Sequence, residues 1–97
     1  MAADDKVVIG LTHDGDDAES VLIAHLLGVE ALRAGKEALM WLTKNGVHVA
    51  TEGFAATVNV PDAPSIAELH AEYIERGGRF YACPVCVKTR GDRKSVV

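Results

Sequence analysis

Apolar residues run along this chain in short unbroken blocks and in stretches with helical spacing, separated by polar loops. Residues 6–12, Lys-Val-Val-Ile-Gly-Leu-Thr, form a continuous block rich in β-branched side chains and predict a strand buried on both faces. A polar loop over 13–16 leads into a predicted helix over 17–34. There Leu22, Leu26, Val29 and Leu32 recur on one side, Asp16 and Glu19 make a capping-box-like start, and Gly35 is the stop. Gly28 inside this helix predicts close packing on a sheet. Residues 37–43 repeat the buried-strand pattern, and strand, helix, strand in so short a span demands parallel pairing with a right-handed crossover. Asn45-Gly46 marks a turn, residues 47–50 one helical turn, and residues 51–64, without a clean period, a loop. Ser65 and Glu68 make a capping box for a second helix that runs to Arg76 with Ile66, Leu69, Tyr73 and Ile74 turned inward. Gly77-Gly78 ends it, residues 79–82 read as a third strand, and residues 87–90 as the first turn of a third helix.

Composition narrows this α/β reading. The chain has 97 residues, enough for one domain, and 48% are hydrophobic, enough for a packed core. Only 5% are aromatic, so that core is built of aliphatic side chains. Two cysteines are too few for a disulfide scaffold. A net charge of −4 argues against a nucleic-acid partner held by a basic surface. No apolar block reaches the ~20 residues that span a membrane, and the acidic start lacks the basic segment of a signal peptide. A cytoplasmic, reducing compartment is the resulting expectation. The domain is read as residues 1–91. Residues 92–97, Asp-Arg-Lys-Ser-Val-Val, do not continue the last helix and back-translate to a sequencing adapter followed by a stop, so they read as a non-native tail.

The sharpest chemistry is Cys83-Pro-Val-Cys86 at the end of the third strand. Open parallel sheets bind ligands outside the carboxyl ends of their strands. With the first strand central and the other two flanking it, this pair would lie beside the loop carrying His13, Asp14, Asp16 and Asp17. Cys86 would open the last helix, where free N–H groups favour a thiolate, and Lys88 and Arg90 would add positive charge. Four readings compete: a nucleophilic or sulfur-carrying thiolate at Cys86, a redox disulfide between Cys83 and Cys86, half a zinc site, or two inert core residues. Zinc lacks its further ligands, because His13, His25, His48 and His70 are scattered without ligand spacing. His25 and His70 read as core-edge residues of helices and His48 as uninformative. His13 faces the site and is a candidate proton donor or orienting group. Helix capping explains Asp16, and solvation Asp14 and Asp17. No phosphate-binding glycine motif is present.

The first strand, the acidic helix entry and above all Gly77-Gly-Arg-Phe-Tyr-Ala-Cys-Pro-Val-Cys-Val-Lys-Thr-Arg-Gly91 resemble the DsrE/DsrF-like family, which includes the TusD-type sulfur-relay subunits and the YchN-like proteins. The most specific part is the C-x-x-C-x-x-x-R-G stretch. The resemblance implies a three-layer α/β/α fold with a parallel sheet in flavodoxin-like order, here without its last strand or strands. It implies assembly into trimers or hexamers. It also implies intracellular sulfur trafficking, in which Cys86 accepts sulfane sulfur as a persulfide from a donor protein and passes it to an acceptor protein. No cofactor or metal is implied. Cys83 matches a second cysteine found in part of the family. The alternatives carried beside this are a thiol–disulfide redox protein using both cysteines and a non-catalytic oligomeric subunit.

Overall fold

The structure is a computed structural model and describes residues 6–51 and 53–90. Its order is β1 (Lys6–Leu11), α1 (Ala18–Arg33), β2 (Glu37–Leu42), α2 (Ile66–Glu75), β3 (Arg79–Ala82) and α3 (Pro84–Arg90). Three short 3-10 segments, Gly15–Asp17, Lys44–Ala50 and Phe54–Thr57, fill the connections. All strand pairing is parallel, as the β-α-β pattern requires.

The strand order corrects the placement of β1. The sheet runs β1-β2-β3, so β2 is central and β1 is an edge strand among the described residues. The reason is the handedness of the crossovers. Two successive right-handed β-α-β steps in one direction put both helices on the same face, and there α1 and α2 do pack together, with α1 also lying on β1 and β2. Burial on both faces of the sheet is corrected for the same reason. Ile9, Leu11, Ala38, Met40, Leu42 and Phe80 point into the helix layer and are buried. On the opposite face Val8, Trp41 and Tyr81 are exposed, at 67%, 42% and 43%. Trp41 and Tyr81 are cross-strand partners and stack with ring centroids 4.7 Å apart.

The helices follow their local signals closely. The N-cap of α1 is Asp17 rather than Asp16, which corrects the capping box by one residue because a 3-10 turn over Gly15–Asp17 precedes the helix; the Asp17 carboxylate accepts from the N–H of Ser20. Ser65 caps α2 through the N–H of Glu68 at 3.3 Å, as the capping box predicts. Gly35 and Gly77 follow the helix ends at φ of 84° and 90°, the left-handed conformation that glycine adopts freely. Leu22 and Val29 are buried and Leu26 and Leu32 pack at the core edge. Ile74, by contrast, stands 47% exposed, one step off the inner stripe of α2. Gly28 does allow close packing, but against α2 more than the sheet: a Cβ there would lie 2.6 Å from the Tyr73 ring. The long connection before α2 is more ordered than its sequence pattern suggests, since Ala55 and Val58 are buried in the core.

Between the helices lies a feature the periodicity hides. His25 is fully buried, its Nδ1 donating to the carbonyl of Val21 at 2.8 Å, which leaves Nε2 to accept from His70 Nδ1 at 3.0 Å. Tyr73 and Phe80 complete this aromatic seam. Burial pushes the His25 imidazole down to about 4, so it is neutral at pH 7.

Candidate functional site

The site is assembled where the three strands end. Thr43 N–H donates to the Leu11 carbonyl at 3.1 Å and Cys83 N–H to the Leu42 carbonyl at 2.9 Å, extending the ladder one residue past each strand. Beyond β1 comes the 12–17 loop, beyond β2 the 3-10 segment Lys44–Ala50, and beyond β3 the cysteines. The 3-10 segment lies directly on the end of β1. A Cβ on Gly46 would fall 2.1 Å from the Leu11 carbonyl oxygen, so only glycine fits. The same segment packs against β3 and α3, which fixes the floor under the cysteine pair.

Helix α3 begins at Pro84, one turn earlier than the sequence pattern suggests, which corrects the placement of Cys86 at the helix start. Cys83 immediately precedes the helix, its carbonyl accepting from Val87 N–H at 3.0 Å. Proline suits the first helical position, because its missing N–H is one that the helix would leave unpaired. Cys86 therefore lies within the first turn. Both thiols are free and partly exposed, and Cys86 also packs against the core. The Cys83 thiol is held below its ordinary value. The Cys86 N–H and the Cys86 thiol both donate to it, Val85 N–H assists, and these outweigh the desolvation that would raise it. Of the two thiols, Cys83 is the one held low. Lys88 is exposed on the same helix.

The acidic loop after β1 is an organised network. His13 Nδ1 lies 3.3 Å from Asp16 Oδ2. Asp14 and Asp16 each accept the other's N–H at 3.1 Å. Asp14 Oδ2 then lies 2.9 Å from His48 Nδ1, joining the loop to the 3-10 segment. Desolvation pushes the Asp14 carboxyl up, but the Asp16 N–H and the His48 imidazole push further the other way, and it sits below the usual carboxylate range. The Ser20 hydroxyl and N–H lower Asp17 similarly.

The structure does not bring His13 next to the cysteines. With β2 between β1 and β3, the two exits are separated by two strand spacings, about 9–10 Å. The groove beside His13 is lined by Gly10, Thr12, Ser20, Ile23 and Leu27 and by neither cysteine. The histidine that lies on the segment packed against α3 is His48. Sequence reasoning passes over it, because its partner Asp14 is 34 residues away and no local spacing marks the pair. Among the described residues no cluster of three or more His, Cys, Asp or Glu is placed to hold a metal ion. Nor is any described helix long and apolar enough to cross a membrane.

A parallel α/β sheet with two adjacent free thiols at the carboxyl end of a strand defines an α/β thiol protein. Comparison with protein families makes this specific. The chain belongs to the DsrE/DsrF-like family, whose model matches residues 5–96. Comparisons with curated proteins and with solved structures find no match. The family points in general to sulfur relay.

Proposed function

We propose that this protein is a sulfur carrier that takes sulfane sulfur as a persulfide on Cys86. The observation that carries the reading is the contact between the two free thiols at the β3 exit, in a chain of the DsrE/DsrF-like family. The nucleophile is the thiolate form of Cys86. The Cys86 sulfur then attacks the terminal sulfur of a donor persulfide, the donor's S–S bond breaks, and the donor leaves as a thiolate. The sulfur is handed to an acceptor protein by the same exchange in reverse. The Cys86 thiolate supplies the electron pair of the new bond and the donor thiolate keeps that of the old one, so the exchange is redox-neutral and calls for no cofactor. A reducing cytoplasm suits the chemistry, because both cysteines must be free between cycles, and assembly with further copies of the chain is part of the family reading.

The test is incubation with a cysteine desulfurase and cysteine, followed by mass spectrometry. The expected result is an adduct of about 32 Da on Cys86, the mass of one sulfur atom, that a reducing thiol removes. Absence of the adduct with desulfurase, polysulfide and thiosulfate donors alike would count against the reading.

The same thiol contact favours one second reading, a thiol–disulfide exchange protein with Cys83 as nucleophile. In that case Cys83→Ser abolishes activity as completely as Cys86→Ser. A carrier acting through Cys86 retains sulfur uptake when Cys83 is replaced.

A further inference from the structure

A carrier must also unload, and the position of Cys83 supplies a route. Cys83 is pinned at both ends of its backbone: its N–H bonds to the Leu42 carbonyl at 2.9 Å and its carbonyl to Val87 N–H at 3.0 Å. Pro84 follows it and restricts its conformation further. Cys86 is three residues on, in the first turn of α3, and its N–H and thiol are on the side of the Cys83 sulfur. Residues three apart on a helical turn have Cβ atoms about 5–6 Å apart, and a disulfide brings them to about 3.5–4.5 Å. Closure between these two cysteines therefore needs an adjustment of about 1–2 Å at the first turn of α3 and none of the strand pairing. Both side chains are partly exposed, so a small leaving group has a way out.

We propose that Cys83 is a second catalytic residue of this site, which discharges a persulfide on Cys86 as hydrosulfide by closing a Cys83–Cys86 disulfide. The inference rests on the persulfide reading above. In the step, the Cys83 thiolate attacks the inner sulfur of the Cys86 persulfide. A new S–S bond forms between the cysteines. The bond to the outer sulfur breaks, and its electron pair leaves with hydrosulfide. The outer sulfur is reduced as the Cys83 sulfur is oxidised, and the Cys86 sulfur keeps its oxidation state, so no external oxidant enters. A dithiol reductant reopens the disulfide and resets the site. This discharge stands beside persulfide transfer to an acceptor protein as a second way to unload, with sulfide as its product at the β3 exit.

The experiment uses the full chain, loaded with inorganic polysulfide, cleared of excess reagent and held without added thiol. In the unmodified protein the adduct of about 32 Da should disappear as free sulfide rises by one equivalent. The peptide spanning both cysteines should end about 2 Da lighter than its dithiol form. Cys83→Ser and Cys83→Ala, each checked for an unchanged circular dichroism spectrum, should keep the adduct at least about ten-fold longer and release no sulfide. Equal decay in the variants and the unmodified chain, or sulfide release without the disulfide, would overturn the discharge role while leaving Cys86 a carrier. Failure of Cys86 to load in any of these proteins would overturn the carrier reading together with it.

Discussion

Gly46 is the residue on which the site most directly depends. A methyl group there meets a backbone carbonyl, which cannot swing aside as a side chain can. Gly46→Ala should therefore cost about 2 kcal/mol or more, at the upper end of overpacking effects. Because the 3-10 segment Lys44–Ala50 would have to lift off β1, the His48–Asp14 bond should go with it. Urea denaturation measures the first effect and the imidazole NMR shift of His48 the second. Gly28 is gentler, because the group in the way is the Tyr73 ring. That ring is itself fixed by a hydrogen bond from its hydroxyl to the Arg79 carbonyl at 2.5 Å. Tyr73→Phe should lose about 1 kcal/mol, the usual worth of one buried hydrogen bond, with no change at the cysteines.

At the scale of elements, the contact between α1 and α2 is sensitive to acid. His25 is neutral in the fold, with its imidazole pushed down to about 4 from an ordinary value near 6.5 by burial. Burial lowers His70 as well. A group whose folded value is depressed in this way binds its proton more readily in the unfolded chain. The stability it protects is complete above about pH 6.5 and is lost as pH falls from there toward 4. The loss attributable to His25 is at most about 3 kcal/mol, taking 1.36 kcal/mol for each pH unit. Denaturant midpoints measured between pH 7.5 and 4.5 should fall accordingly, and His25→Leu should flatten that dependence. The Arg33–Glu72 bridge between the same helices, 2.8 Å long, lies at the surface and should matter little by comparison.

At the scale of the molecule, the described residues form a helix layer on one side of a three-stranded sheet, only 19 Å deep along its shortest axis. The other side presents Val8, Trp41 and Tyr81 to solvent. Trp41 is the single tryptophan of the chain and reports on that face. Iodide should quench its fluorescence readily, and conditions that cover the sheet should suppress the quenching. A Trp41→Ser, Tyr81→Ser double variant should lose binding of a hydrophobic dye and keep most of its stability, since neither ring enters the helix-side core. The layered arrangement also explains why both the acidic loop and the cysteine pair stand at one rim of the sheet: in a parallel sheet every strand exit lies on the same side.

The sequence by itself determined the local elements and the chemistry at stake. Continuous β-branched blocks, helical spacing, the Ser65–Glu68 capping box and the glycines after each helix are short-range signals, and each is realised where it stands. The C-x-x-C-x-x-x-R-G stretch likewise pointed to the family that its comparison establishes. What only the tertiary structure decided are relations between residues far apart in the chain. These include β2 rather than β1 at the centre of the sheet, the bare sheet face, the joining of His25 to His70 and of Asp14 to His48, and the contact that makes Cys83 the lowered thiol. The physical reason is that an apolar strand looks the same whether one or both of its faces are buried. Strand order depends on which way successive crossovers step, a choice that no single segment encodes.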